Sequence, residues 1–103
     1  MPKIYEYLGI VFFFYSNEHL PIHIHAKFAE FETKFDLIFE NGILLNILSK
    51  KVRKKEKLPS NKEKDAIEFI STYYLGITEK WNQFFVLKKS TIVFEKITKK
   101  IGK

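Results

Sequence analysis

In the first half of the chain, residues 22–28 and 31–39 alternate between apolar and polar positions with the period of two that is typical of β-strands, and residues 8–16 form a run rich in β-branched and aromatic residues. The pattern predicts four strands, which cover residues 8–16, 22–28, 31–39 and 43–48. Asn41 and Gly42 tolerate positive φ, and they therefore suit a tight hairpin turn between the last two strands. We expect an antiparallel meander over residues 1–48.

The second half of the chain carries one apolar stripe at helical spacing, with steps of three and four residues. Its members are Ala66, Ile70, Tyr73, Ile77, Trp81 and Phe84 or Phe85. Ser60 and Glu63 have the spacing of a capping box, which predicts a helix over residues 61–89. Gly76 costs a helix roughly 1 kcal/mol relative to Ala, so we expect a bend or a close backbone contact there. Residues 90–103 are predicted as a short final strand and a tail.

These elements predict an α+β fold: an antiparallel sheet of four to five strands, one long helix packed on one face, and a short C-terminal strand. A chain of 103 residues is the size of one domain, and 46% hydrophobic composition is too high for a disordered chain. The chain has no cysteine, which excludes disulfides and thiolate metal sites. No secretory signal or membrane span is apparent, so we expect a cytoplasmic protein.

The positive charge is concentrated in one segment. Of the net charge of +6, the whole excess lies in residues 50–64, which hold eight basic residues and two acids. Within the predicted connector, residues 49–60, the basic positions nearest its start are Lys50, Lys51, Arg53, Lys54 and Lys55. Such a run attracts nucleic-acid phosphates by counterion release, although a solvated loop has a similar composition.

All three histidines, His19, His23 and His25, lie within seven residues. Strand alternation places His23, His25 and Lys27 on one face, and His19 lies in the preceding turn segment. Neutral imidazoles bind Zn, and a pair of imidazoles can also act as general base and general acid in RNA cleavage, with Lys27 or Lys34 stabilising phosphate charge. A structural role in the hairpin is the third alternative, and the sequence leaves all three open.

Two stretches of the sequence resemble a known family. They are residues 17–26, Asn-Glu-His-Leu-Pro-Ile-His-Ile-His-Ala, and residues 28–32, Phe-Ala-Glu-Phe-Glu. They are similar to the prokaryotic family called domain of unknown function 4160, and the Leu58-Pro59 step before the helix with Trp81 resembles the back half of that family. Members usually carry several prolines between the first two histidines, whereas this chain has Pro21 alone.

The resemblance implies a cytoplasmic prokaryotic protein from a toxin–antitoxin-like pair, with His19, His23 and His25 as site residues and Glu30 and Glu32 as weaker candidates. We therefore expect a toxin-like component that acts on RNA, either as a metal-independent or as a Zn-dependent ribonuclease. The alternative is a non-catalytic module that binds nucleic acid or protein through residues 50–64. A small antitoxin-like protein and a second copy of the chain are candidate partners.

Overall fold

Six strands and one long helix build the α+β fold, as seen in a computed structural model that describes residues 2–15 and 21–101. The elements are β1 (Lys3–Tyr7), β2 (Ile10–Phe13), β3 (His23–Phe28), β4 (Phe31–Glu40), β5 (Ile43–Lys51), α1 (Ser60–Trp81), a π-helix (Asn82–Val86) and β6 (Glu95–Ile97). The strands are ordered β5-β4-β3-β2-β1-β6, and only the β1–β6 pair is parallel. The α+β class and the mostly antiparallel sheet are confirmed, but the sheet has six strands rather than four or five.

The additional strand is β1, which the sequence pattern did not predict. A bulge between Lys3 and Tyr5 breaks the alternation, so that Ile4 and Tyr5 are consecutive and both buried. The turn to β2 is also atypical, because Leu8 adopts a φ of 51° beside Gly9 at 80°. A leucine rarely occupies this region of φ, and Leu8 was therefore predicted to be a strand residue.

The predicted strands of the meander form, although β2 covers only Ile10–Phe13 of the predicted residues 8–16, of which residue 16 lies outside the described part of the chain. Asn41 and Gly42 have φ values of 53° and 79°, which confirms the predicted hairpin turn between β4 and β5. β5 continues to Lys51, beyond the predicted end at residue 48, so the first residues of the predicted connector pair with β4. Two connector residues also form hydrogen bonds with β4. The Glu56 carbonyl accepts from the Glu32 amide at 2.9 Å, and the Leu58 amide donates to the Thr33 hydroxyl at 3.0 Å.

The helix begins and ends differently from the prediction. Pro59 is the N-cap, and its carbonyl accepts a hydrogen bond from the Glu63 amide at 2.8 Å, while no side chain caps the helix. The predicted capping box is therefore wrong, because Ser60 is already the first helical residue. α1 ends at Trp81 rather than at residue 89, and the chain continues as the π-helix. No helix in the described part of the chain combines the length and apolarity needed to cross a membrane.

The apolar core contains residues of α1 and of the strands. Ala66, Ile70, Ile77 and Trp81 of the predicted stripe are buried. Phe69 was not assigned to the stripe, yet its ring contacts rings of Tyr5, Tyr7 and Phe12, at centroid distances of 5.2, 5.3 and 4.7 Å. Aromatic contacts thus connect the helix with β1 and β2.

Gly76 makes the close contact that its position in the helix predicted. A Cβ atom at this position would collide with the Tyr5 hydroxyl. The hydroxyl occupies the space that a side chain would fill, so this packing requires glycine at residue 76. Burial raises the pKa of Tyr5 to about 12, with the negative charge of Glu95 as the next cause. The helix also bends nearby, where Tyr73 departs from helical geometry with φ −107° and ψ 16°.

The final strand, predicted within residues 90–103, covers only the three residues Glu95–Ile97 and pairs with β1 in parallel. The buried Lys80 ammonium connects it to α1, because it contacts the Glu95 carboxylate at 2.9 Å and donates to the Val93 carbonyl at 2.8 Å. A buried ammonium needs such partners, and these two contacts hold the start of β6 and the segment just before it against the helix.

Candidate active site on the histidine face

Cross-strand register places two of the predicted site residues, His23 and His25, on one surface of the sheet, which we call the histidine face. It carries His23, His25, Glu32, Lys34 and Asp36. His25 lies opposite Lys34, and His23 lies opposite Asp36. Because side chains alternate along a strand, these five residues of β3 and β4 share one face. The prediction that His23 and His25 lie on the same face is therefore confirmed.

The most specific contact on this face joins His25 to Glu32. The His25 Nδ1 atom is 3.1 Å from the Glu32 Oε2 atom, and the Tyr15 hydroxyl donates to the same oxygen at 3.1 Å. A carboxylate only accepts hydrogen bonds, so this geometry assigns the proton of neutral His25 to Nδ1. The lone pair of His25 is then on Nε2, the atom that would take a proton or bind a metal.

His23 is oriented in a similar way by the backbone. Its Nδ1 atom donates to the Pro21 carbonyl at 2.8 Å, which again leaves the lone pair of the neutral ring on Nε2. The His23 and His25 rings have centroids 5.8 Å apart, and His23 also makes an edge contact with Trp81 at 5.3 Å. The two imidazoles therefore converge, and both carry the same tautomer.

The polar groups of this site are unusually buried. His23, His25, Glu32 and Asp36 are exposed by only 5, 4, 3 and 7%. Burial of ionisable side chains costs free energy unless hydrogen bonds or ion pairs offset it, so a carboxylate as buried as Glu32 is held by its two donors. The geometry that orients His25 is therefore fixed by the fold rather than by solvent.

Two lysines extend the site along the sheet. Lys34 lies between His25 and Lys50 in the register, so Lys50 is two strand spacings, about 10 Å, from His25. Asp36 attracts both ammonium groups, at 3.7 Å from Lys34 and 3.4 Å from Lys50. The predicted basic surface thus meets the histidines at Lys50, with part of its charge balanced by Asp36.

A cavity of about 340 Å³ lies beside Phe13, the register partner of His25, on the side of His25 that faces away from Lys34. Lys3, Val11, Phe13 and Lys27 are among its lining residues, and the Phe13 ring stacks on the His25 ring at a centroid distance of 5.4 Å. Its two lysines and its aromatic ring suit a group that combines a flat ring with a negative charge. Lys27, predicted to bind nucleic acid, is exposed at this cavity.

The remaining predicted cations lie away from the histidine face. Lys51 follows Lys50 in β5 and points to the opposite side. Arg53 and Lys54 lie in the next turn, which the bond from the Lys55 amide to the Val52 carbonyl closes at 3.0 Å. The structure therefore groups these cations near the end of β5, and of the described cations in the basic segment only Lys50 lies at the histidine face.

A Zn site on all three histidines involves a residue about which the structure gives no information. His19 lies outside the described residues. Among the residues that are described, no three His, Cys, Asp or Glu side chains are placed to hold a metal. The metal hypothesis rests on His19 together with the converging His23 and His25, and it stays a prediction.

Sequence reasoning underestimated or missed several residues of this surface. Glu30 and Glu32 were equal candidates, but Glu30 is exposed in a turn whereas Glu32 contacts His25. Tyr15 and Asp36 were not predicted, and Trp81 was assigned to the core alone. The strand period could have identified Tyr15, because Tyr15 lies two residues after Phe13 and Phe13 is the register partner of His25.

Comparison with known proteins yields a family and no activity. A family model described as Domain of unknown function (DUF4160) matches residues 9–82, which include β2 to β5 and α1. No curated protein and no solved structure matches the chain.

Proposed function

This chain belongs to the DUF4160 family, and we propose that it is a cytoplasmic ribonuclease that serves as the toxin-like component of a prokaryotic toxin–antitoxin module. The proposal places the chemistry on the histidine face, where His23 and His25 act as an acid–base pair. His19 is proposed as a third site residue. Lysines of the same surface and of the basic segment would bind the phosphates of RNA.

The observation that supports this function best is the hydrogen bond between His25 and the buried Glu32 carboxylate. A carboxylate at Nδ1 orients an imidazole and stabilises the positive charge that the ring acquires when Nε2 takes a proton. The second imidazole converges on the first at 5.8 Å. One ring that accepts a proton and a second that donates one are the minimum for general acid–base cleavage of a phosphodiester.

In the proposed reaction, His25 Nε2 removes the proton of a ribose 2′-hydroxyl, and the 2′-oxygen attacks the adjacent phosphorus. The bond from phosphorus to the 5′-oxygen breaks, and protonated His23 gives its proton to that leaving oxygen. The products are a 2′,3′-cyclic phosphate and a 5′-hydroxyl. Lys34 and Lys27 would stabilise the negative charge on the phosphate oxygens, and the cavity beside Phe13 would hold a neighbouring base.

The test is cleavage of single-stranded RNA by the purified protein, with and without a chelator. We expect products with cyclic phosphate ends, activity that persists in chelator, and slowed growth when the protein is expressed alone. Activity that disappears in chelator and returns with Zn would assign the chemistry to a metal held by the histidines. If RNA stays intact under every condition and growth is unaffected, the proposed ribonuclease function is wrong.

A non-catalytic nucleic-acid-binding module is the second candidate, and the exposure of the basic segment favours it. Lys51, Arg53, Lys54 and Lys55 are exposed. If they bind phosphates, replacing all four with Gln should flatten the salt dependence of RNA affinity. The variant makes fewer phosphate contacts, so fewer counterions are released when RNA binds. Filter binding over a range of salt concentrations measures the slope.

The matched control for that experiment replaces lysines in another region, Lys88, Lys89, Lys99 and Lys100, with Gln. They are equally exposed and carry the same total charge. An equal loss of slope in both variants would mean that net charge alone binds RNA, which would contradict a site in the basic segment.

A further inference from the structure

β5 forms one edge of the sheet. It pairs with β4 on one side, and within residues 2–15 and 21–101 no strand pairs with its other side. Alternate backbone N–H and C=O groups of an edge strand point outward and can pair with a further strand. With nine residues, β5 is longer than most strands of this sheet, and it therefore offers a long row of such groups.

The side chains of this edge are apolar where natural edge strands are usually charged. Ile43 is 61% exposed, Leu45 59% and Leu48 38%. Leu45 also lines a groove of about 320 Å³ between β5 and α1, together with Leu44, Ile47, Ile67 and Tyr74. Exposed aliphatic side chains beside a groove are typical of a surface that a partner covers.

Positive charge lies at the C-terminal end of this edge. Lys50 and Lys51 end the strand, and Arg53, Lys54 and Lys55 follow within four residues. Lys50 contacts Asp36, whereas the other four cations form no ion pair with any residue whose position the structure gives. The edge therefore combines an apolar half with a half in which, among the described residues, only Lys50 has an ion-pair partner.

We propose that the outer edge of β5 binds an extended acidic segment of a partner protein, which adds a seventh strand to the sheet. Apolar side chains of that segment would cover Ile43 and Leu45 and fill the groove, and its Asp and Glu side chains would face the cations from Lys50 to Lys55. Backbone pairing supplies affinity in such complexes, and the side chains select the partner.

A second copy of the chain fits this surface less well. Two β5 strands paired antiparallel about Ile47 would place Lys51 of each copy opposite Ile43 of the other. Each copy also carries the same excess of six positive charges, so self-pairing brings no negative charge to the edge. The inference rests on the outer backbone edge of β5 and on its side chains, not on the histidines, so it holds whether or not the chain cleaves RNA.

The experiment uses the full chain and a synthetic peptide in which Val alternates with Thr and a run of Glu follows. We expect binding with protection of β5 backbone amides from hydrogen exchange. Replacing the Glu run with Lys, or placing Pro at the centre of the peptide, should each weaken binding at least about tenfold, because the first removes charge complementarity and the second removes backbone pairing.

Leu45→Lys should abolish binding, while Leu75→Lys, at a similarly exposed position of α1, should leave it unchanged. Circular dichroism checks that both variants fold. The Pro peptide tests binding at the β5 edge on the native protein, where folding of a variant is not in question. The inference is overturned if the peptide does not bind, if it binds without protecting β5, or if the Pro peptide binds equally well. It is also overturned if the free protein dimerises through β5, which would make a second copy the occupant.

Discussion

His25→Gln should lower the turnover of RNA on the order of a hundredfold or more while RNA affinity changes little. Glutamine can occupy much of the space of the imidazole and can keep a hydrogen bond to Glu32, but it cannot accept the 2′-hydroxyl proton. RNA affinity would be held by the lysines, which this substitution leaves in place. Single-turnover cleavage rates and filter-binding affinities, measured on the same RNA, separate the two effects.

Glu32→Gln should reduce the same rate, because it removes the negative charge that stabilises protonated His25. Glu30→Gln is the matched control: the same substitution two residues earlier, at an exposed turn position. A purely structural role for the histidines makes a different prediction, in which His25→Gln and Glu32→Gln lower only the melting temperature. Equal rates in wild type, Glu32→Gln and Glu30→Gln, all folded, would contradict the proposed acid–base pair.

Much of this surface follows from local sequence pattern. Period-two alternation placed His23 and His25 on one face, and the Asn41-Gly42 pair located the hairpin that brings β5 beside β4. Both predictions depend only on neighbours in sequence, and the register confirms them. The distribution of charge did not locate the end of β5, because the strand continues past the predicted residue 48 to Lys51, into the basic segment.

The sequence could not supply contacts set by the register between distant strands. That Glu32 rather than Glu30 meets His25 depends on how β3 and β4 align around their turn, and a shift by one residue would exchange the two faces. β1 was missed for a related reason, since its bulge puts Ile4 and Tyr5 both inside and hides the strand period. The parallel pairing of β6 with β1 depends on where the chain returns after α1, which no local pattern records.

Gly76→Ala should destabilise the protein even though alanine is the better helix former. The added methyl group would collide with the Tyr5 hydroxyl, and forcing extra volume into a packed interior costs typically about 1–3 kcal/mol. That cost exceeds the gain of roughly 1 kcal/mol from helix propensity. Denaturant unfolding of the single variant should therefore give a lower free energy of unfolding than the wild type.

Tyr5→Phe supplies the control, because it removes the hydroxyl and keeps the ring. The nearest ring carbon, Cζ, is 3.4 Å from the position of the new methyl group, which is an ordinary van der Waals distance. In the Tyr5→Phe background, Gly76→Ala should therefore stabilise the protein by up to about 1 kcal/mol, which reverses the sign of its effect. A double-mutant cycle without coupling would show that the hydroxyl is not the cause.

Alkaline pH tests the same hydroxyl in the unsubstituted protein. Burial raises the pKa of Tyr5 from 10.0 to about 12, so the folded chain keeps a proton that the unfolded chain releases. The contribution of Tyr5 to stability is therefore complete below pH 10 and is lost as the pH rises towards 12. Tyr5→Phe should flatten this part of the stability profile, while Tyr74→Phe, at a half-buried position of the same helix as Gly76, provides the comparison. An equal alkaline loss of stability in wild type and Tyr5→Phe would contradict the close packing of Tyr5 against Gly76 as its source.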